Sequence, residues 1–281
     1  MKKTIIAATA LVAMTACNKT LIETPMTDSN YGYINLGITA DTEMVVTKGI
    51  TANGVDDIDT YNVALLVKSG EVYVPFWTSE KFDGVTIKEG YIEYSDLSNS
   101  KFWTVPAGEY KIVVENKTES EALVDNGAVR VEGTETFKVN AGATQTVAVS
   151  CNPVNSKVTV SKTTAFDAAF TASSVSVTGA GRNFYLNWTA KPEVKSNTLY
   201  NEAYFNAATQ IAWNLSVTLT DGTTKTYSKT NALSTVAGTW SNIDFNASTT
   251  NGSINVTITV NNEFGIVDVI EETINPGDSN N

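Results

Sequence analysis

Short runs in which every second residue is large and apolar recur along the chain. The clearest is Ile211-Ala-Trp213-Asn-Leu215-Ser-Val217-Thr-Leu219, with apolar residues at the odd positions and small or polar ones between. A period of two over nine residues predicts a strand with one buried face. Asp221-Gly222 follows, a dipeptide suited to a hairpin turn, and Thr224 to Ser228 is the returning strand. Ile254, Val256, Ile258 and Val260 repeat the pattern, Asn261-Asn262 turns it, and Phe264 to Ile270 comes back.

The first half reads the same way. Tyr61, Val63, Leu65 and Val67 line one face, Ser69-Gly70 turns, and Val72, Val74 and Phe76 line the return. Tyr110, Ile112 and Val114 follow Pro106-Ala-Gly108. Phe137 and Val139 lead through Ala141-Gly142 to Val147, Val149 and Cys151, and Val158 and Val160 come next. No amphipathic helix exceeds about three turns. Ala165–Thr171 and Asn201–Ala208 are each expected to hold one short helical turn. Many short strands with Gly, Asn and Asp turns predict an all-β chain of β-sandwiches.

The expected organisation is two tandem β-sandwich domains, residues 31–152 and 153–275, with a polar tail at 276–281. The break falls at Asn152-Pro153-Val154-Asn155, where a proline that cannot donate to a ladder is flanked by polar residues. Residues 1–16 read as a signal peptide: Lys2 and Lys3 form a basic head, and Ile5–Met14 is an apolar stretch too short to span a bilayer. Met14-Thr15-Ala16-Cys17 has the form of a lipoprotein processing box. Cys17 is then the expected site of lipidation, with residues 17–30 as the lipidated N-terminus and tether. More than one acyl chain gives stable attachment where a single chain is marginal. The expected location is the outer membrane, at the cell surface or in a fimbrium, with the periplasmic face as the alternative.

Charge narrows the partners. The 281-residue chain has 19 basic and 30 acidic residues, a formal charge of −11, which becomes −13 once Lys2 and Lys3 leave with the signal. Such a surface repels nucleic acid, and no basic patch argues otherwise.

The chemistry is sparse. There is no histidine, which excludes Ser-His-Asp and Cys-His catalysis and histidine metal sites. No phosphate-binding glycine motif or CxxC occurs, and no cofactor is expected. Glu89 with Glu93, and Glu271 with Glu272, are acid pairs outside any signature; an enzyme is not expected. Asp56-Asp57-Ile58-Asp59 lacks the spacing of a calcium loop and reads as an acidic turn. Cys151 shares a face with Val147 and Val149 and reads as a small buried residue. Trp213 and Trp188 fall on apolar faces. By parity Trp77 falls opposite Val72, Val74 and Phe76, beside Tyr73, so Tyr73 and Trp77 are the aromatics expected to contact a ligand at the surface.

The order of these pieces resembles the fimbrillin-like lipoproteins of Bacteroidetes. It runs from the lipobox through Gly32-Tyr-Ile-Asn-Leu-Gly-Ile38, Val45-Val46-Thr-Lys48, Val55-Asp-Asp-Ile-Asp-Thr-Tyr-Asn-Val63 and Val105-Pro-Ala-Gly-Glu-Tyr110. Gly133-Thr-Glu-Thr-Phe137, Ala141-Gly-Ala-Thr-Gln-Thr-Val147 and Asn155-Ser-Lys-Val-Thr-Val160 complete it. The resemblance implies two transthyretin-like sandwiches and, in pilin-like members, assembly by strand exchange after a trypsin-like cut. On this chain it implies a cut after Lys48, residues 32–47 as the removable strand and residues 264–272 as the donor. The alternative is that Lys48 is a turn lysine and the strand stays. The partners it implies are the membrane through Cys17, other pilin-like subunits, and a glycan or host protein. A glycan- or host-ligand-binding surface lipoprotein is the alternative to a fimbrial subunit or adhesin.

Overall fold

Alternation of apolar and polar residues becomes strand over most of the chain. The structure is a computed structural model that describes residues 30–40, 45–46, 58–78, 81–82, 85–88, 90–98, 104–188, 198–250, 253–262 and 265–274. The first half contains β1 (Tyr31–Ala40), β2 (Val45–Val46), β3 (Asn62–Ser69), β4 (Val72–Pro75), β5 (Lys81–Phe82), β6 (Val85–Thr86), β7 (Ile92–Glu93), β8 (Thr104–Pro106), β9 (Gly108–Glu115), β10 (Val131–Val139) and β11 (Thr144–Pro153). The second contains β12 (Asn155–Lys162), β13 (Ala172–Gly179), β14 (Arg182–Leu186), β15 (Leu199–Tyr200), β16 (Ala203–Asn206), β17 (Gln210–Thr218), β18 (Thr224–Ser234), β19 (Thr239–Thr250), β20 (Ser253–Asn262) and β21 (Gly265–Ile274). Two short helices interrupt them, α1 (Glu119–Ala122) and α2 (Thr164–Ala169).

The buried apolar residues form two cores with no shared member. One gathers Ile34 and Leu36 of β1, Val63 and Leu65 of β3, Tyr110, Ile112 and Val114 of β9, and Val147, Val149 and Cys151 of β11. The other gathers Val158 and Val160 of β12 with Trp213, Leu215 and Val217 of β17, Phe245 of β19 and Ile258 of β20. The first lies between the two halves of one folded sheet and the second between two sheets, so the chain is two β-sandwiches in tandem, joined between Pro153 and Asn155 by Val154 alone.

The two sandwiches share one strand order. In the first, one sheet runs β4-β3-β9-β10-β11-β1-β8 and divides into two halves between β10 and β11, which pair only at Val131–Glu132 with Asn152–Pro153. In the second, two separate sheets contain the matching runs β14-β13-β17-β18 and β19-β12-β16. The pairing senses correspond as well. The first strand of each sandwich is parallel to one neighbour, β1 to β11 and β12 to β19, and antiparallel to the other, β8 and β16. What differs is the end of the second sandwich, where the hairpin β20–β21 adds beside β19.

Some expectations change. Asn201–Ala208 is not a helical turn: Ala203, Tyr204 and Phe205 are buried in β16, which pairs with β12. Packing on both faces favours the extended form there. Helix α1 is an element beyond those expected; it starts at a capping box, Thr118-Glu-Ser-Glu121, with the Thr118 hydroxyl accepting from Glu121 N–H and the Glu121 carboxylate accepting from Thr118 N–H. Val45–Val46 lies beside β19 of the second sandwich, paired with Thr239 and Trp240. The chain following α1 reaches the second sandwich: the Asn126 amide donates to Glu202 O, Tyr204 N–H donates to Asn126 O, and the Arg182 guanidinium donates to Leu123 O and Asp125 O.

Candidate functional site

The N-terminal strand β1 is seated between two strands from much later in the chain. Its residues Tyr33–Ala40 run parallel to Thr144–Cys151 of β11, and Tyr31–Tyr33 run antiparallel to Thr104–Pro106 of β8. Alternation sends Ile34 and Leu36 into the core, where they are 3% and 7% exposed. Burial of each contributes about 1.5–3 kcal/mol. The Tyr94 hydroxyl donates to Leu36 O at 3.1 Å. The turn between β10 and β11 grips the start of the strand: Tyr33 N–H donates to Ala143 O at 2.9 Å and Gly142 N–H to Tyr31 O at 2.7 Å. Gly32 is required there, because a Cβ would come within 2.5 Å of Asn140 O and of Val139 Cγ1. A strand spliced in from the N-terminus therefore completes the first sandwich.

At the far edge of the other sheet, β4 carries the expected ligand-contact residues. Tyr73 is half-buried and pairs across the ladder with Lys68, whose ammonium meets the Glu109 carboxylate. The hydrogen bond to Glu109 raises the Lys68 pKa, and the same bond lowers that of Glu109. Trp77 is a correction. It is 2% exposed, inside the core, so its ring is not offered to a ligand. The alternation fails because β4 ends at Pro75 and the chain bends at Phe76, whose N–H donates to Leu65 O; the next side chain then turns inward. Val72 and Val74, expected to line the buried face, are 59% and 37% exposed at the rim of the sheet.

Cys17 and Lys48 lie outside the described residues, as do Glu89 and the acidic turn Asp56-Asp57. Cys151 is buried, and burial first, then the Glu132 charge, push its thiol up to about 11. Trp188 and Trp213 are in the second core, 5.0 Å and 5.6 Å from the Phe245 ring, both edge-on. Trp240, which alternation alone did not assign, sits under the ammonium of buried Lys157 at 3.6 Å and donates to the Thr159 hydroxyl.

One buried ion cluster stands beside the junction. Glu115, 2% exposed, and Glu132 both accept from the Arg130 guanidinium at 2.6 Å. Burial first, then Glu115, push the Tyr91 phenol up to about 12. The Asn155 side chain accepts from Arg130 N–H and donates to Ala128 O, so the cluster braces the joint between the sandwiches. Among the described residues no group of three or more His, Cys, Asp or Glu is arranged to hold a metal. Among them, too, no helix is long and apolar enough to cross a membrane.

The chain is similar to solved structures over most of its length. A fimbrial assembly protein from Parabacteroides distasonis matches at 12% identity and a TM-score of 0.37, over 76% of this chain and 91% of its own. The fimbrial anchor protein Mfa2 from Porphyromonas gingivalis matches at 13% identity and a TM-score of 0.32, over 82% of this chain and 96% of its own. No curated protein matches the sequence. The profile of a domain of unknown function, DUF4493, matches residues 30–276. With nearly all of its β structure inside that match, the chain belongs to the DUF4493 family.

Proposed function

We propose that this protein is a non-enzymatic, lipid-anchored protein of the outer membrane, a fimbrial subunit or fimbrillin-like adhesin that assembles with other subunits by exchange of β-strands. The observation that carries this reading is the seat of β1. A strand next to the expected tether fills a slot between β8 and β11, and its pairing partners lie 71–75 residues downstream in β8 and 111 residues downstream in β11. Loss of that strand opens the core at Val147 and Val149 and leaves the Thr144–Cys151 edge unpaired, a substrate for strand addition from another chain. Lys48 follows β1 in sequence and fits a cut that would release it. The fimbrial and anchor proteins to which the chain is similar agree with a surface location.

Limited trypsin treatment of residues 18–281, with native mass measured before and after and N-terminal sequencing of the product, tests this. A cut after Lys48 followed by a ladder of SDS-resistant oligomers is expected. A product that is cut there and stays monomeric, or a chain that resists cutting, overturns assembly by this route.

A second reading, a surface lipoprotein that binds a glycan or host protein, draws on Tyr73. Its partly exposed ring stands on an edge strand beside the Lys68–Glu109 pair. Tyr73→Ala would abolish retention on the glycan without lowering the melting temperature; unchanged retention would remove Tyr73 from the reading.

A further inference from the structure

The outer edge of β16 is closed by a segment of the other sandwich. β16 ends its sheet, and on its inner side Ala203–Asn206 lie against β12. In an antiparallel ladder the N–H and C=O of one residue point to the same side. Those of Tyr204 are both taken from outside the ladder. Its N–H donates to Asn126 O at 2.8 Å, and its carbonyl accepts from the Arg182 guanidinium. The Asn126 side-chain amide donates to Glu202 O at 3.0 Å, and that of Asn206 donates to the Glu119 carboxylate at 2.6 Å. Residues 119–126 therefore stand where a further strand would pair.

The segment is shaped for this contact. It starts at the capping box of α1, and then Gly127 N–H donates to Val124 O at 2.8 Å and Ala128 N–H to Ala122 O at 3.0 Å, which closes a tight loop. Gly127 has a φ of +85°, and a Cβ there would lie 2.8 Å from Ala122 O and 2.9 Å from Tyr204 Cβ. Only glycine lets the loop lie this close to β16. Arg182 opens β14, in the opposite sheet of the second sandwich, and its guanidinium lies 4.6 Å from the centre of the Phe184 ring. From there it donates to Leu123 O at 2.9 Å and Asp125 O at 2.7 Å, charge-assisted bonds that are stronger than neutral ones. Where the segment leaves, Val154 N–H donates to Arg130 O at 2.9 Å, and the Asn155 side chain bonds Arg130 N–H and Ala128 O. The first sandwich thus holds the second through both of its sheets and its first strand.

We propose that residues 118–130 are a clamp that fixes the angle between the two sandwiches and guards the outer edge of β16 against strand addition. Domains joined by a short linker move relative to each other unless their interface holds them, and an uncovered edge is a template for pairing. The clamp answers both. The two cores share no residue, so each sandwich keeps its own stability, and what the clamp sets is their orientation. No residue of β1 belongs to it, so the inference goes beyond the subunit reading and stands whether or not that strand is exchanged.

NMR on deuterated residues 18–281 tests it. Alignment tensors from residual dipolar couplings, fitted to each sandwich separately, are expected to coincide, and the Tyr204 amide is expected to exchange slowly. Asn126→Ala with Arg182→Gln is expected to separate the two tensors and to speed exchange of the Tyr204 amide tenfold or more, with protection of β9 and β17 unchanged. Different tensors in the unaltered protein overturn the proposal. So does a doubly substituted protein whose tensors coincide and whose Tyr204 amide stays protected. If loss of the Arg182 contacts lowers protection of β17, Gly127→Ala, which leaves every residue of the second sandwich in place, is read against the same two outcomes.

Discussion

The two sandwiches are built on one plan and completed in different ways. In the second, the strand that follows β19 in sequence covers it, so local hairpins finish the sheet. In the first, β11 is covered by a strand from the other end of the domain, and among the described residues only β10 pairs with it on the other side, at Asn152 and Pro153. The second is finished mainly by its own neighbouring hairpins, with β2 beside Thr239 and Trp240; the first depends on a segment attached to the N-terminus. The same topology therefore gives one stable block and one whose edges are available.

That difference is easiest to break in the second core. Phe245 meets Phe166, Trp188 and Trp213 at 6.1, 5.0 and 5.6 Å between ring centroids. Phe245→Ala is expected to cost about 3–5 kcal/mol. Calorimetry should show the loss in the transition of the second sandwich, leaving hydrogen-exchange protection of β9 and β10 in place. Equal loss of protection in both would show that the sandwiches unfold as one unit.

The first sandwich should be most sensitive at the grip on β1. Gly32→Ala pushes a methyl against Asn140 O and Val139, an overpacking expected to cost about 1–3 kcal/mol. The loss should appear as faster exchange of 31–40. Unchanged exchange there would mean that the turn at 140–143 yields and is not the grip.

Cys151 reports on the same seat. It is paired across the ladder with Ala40, and its thiol, pushed up to about 11 by burial, should resist a thiol reagent at pH 8 in the native protein. Gly32→Ala should speed its labelling several-fold. Rapid labelling of the unmodified chain would contradict the burial.

The smallest effect is at α1. Thr118→Ala removes the cap and should cost about 1 kcal/mol. The hydrogen bond from Thr118 N–H, then that from its hydroxyl, hold the Glu121 carboxyl below the usual carboxylate range. A depressed carboxylate stabilises the fold fully above its unfolded value, about 4.3, and the contribution fades as pH falls through the folded value. In the Thr118→Ala protein the acid limb of a stability–pH curve should be shallower. An unchanged limb would mean that the cap does not form in solution.

Much of this was legible in the sequence, and the misses have causes. Ile211–Leu219 shows its strand because one face is buried along its whole length; Ile211, Trp213, Leu215, Val217 and Leu219 are all in the core. Trp77 departs from the parity of β4 because parity holds only while the strand continues, and Pro75 ends it. Asn201–Ala208 lacks alternation because Ala203, Tyr204 and Phe205 are packed on both faces of β16. The capping box at Thr118 was a usable signal for α1. The shared strand order had no such signal, since it consists of pairings between distant segments and not of repeated residues. The seat of β1 was legible only as an early apolar strand; which strands flank it depends on contacts 71–75 and 111 residues away.

The most direct test is hydrogen exchange on the monomer at low concentration, comparing amides of 144–150 with those of 242–245. The account predicts slow exchange throughout 242–245, where β12 and β20 lie on either side, and alternating slow and fast amides along 144–150, where only β1 among the described strands pairs. Uniform protection along 144–150 in the monomer would contradict it, because something would then already cover the second side of β11.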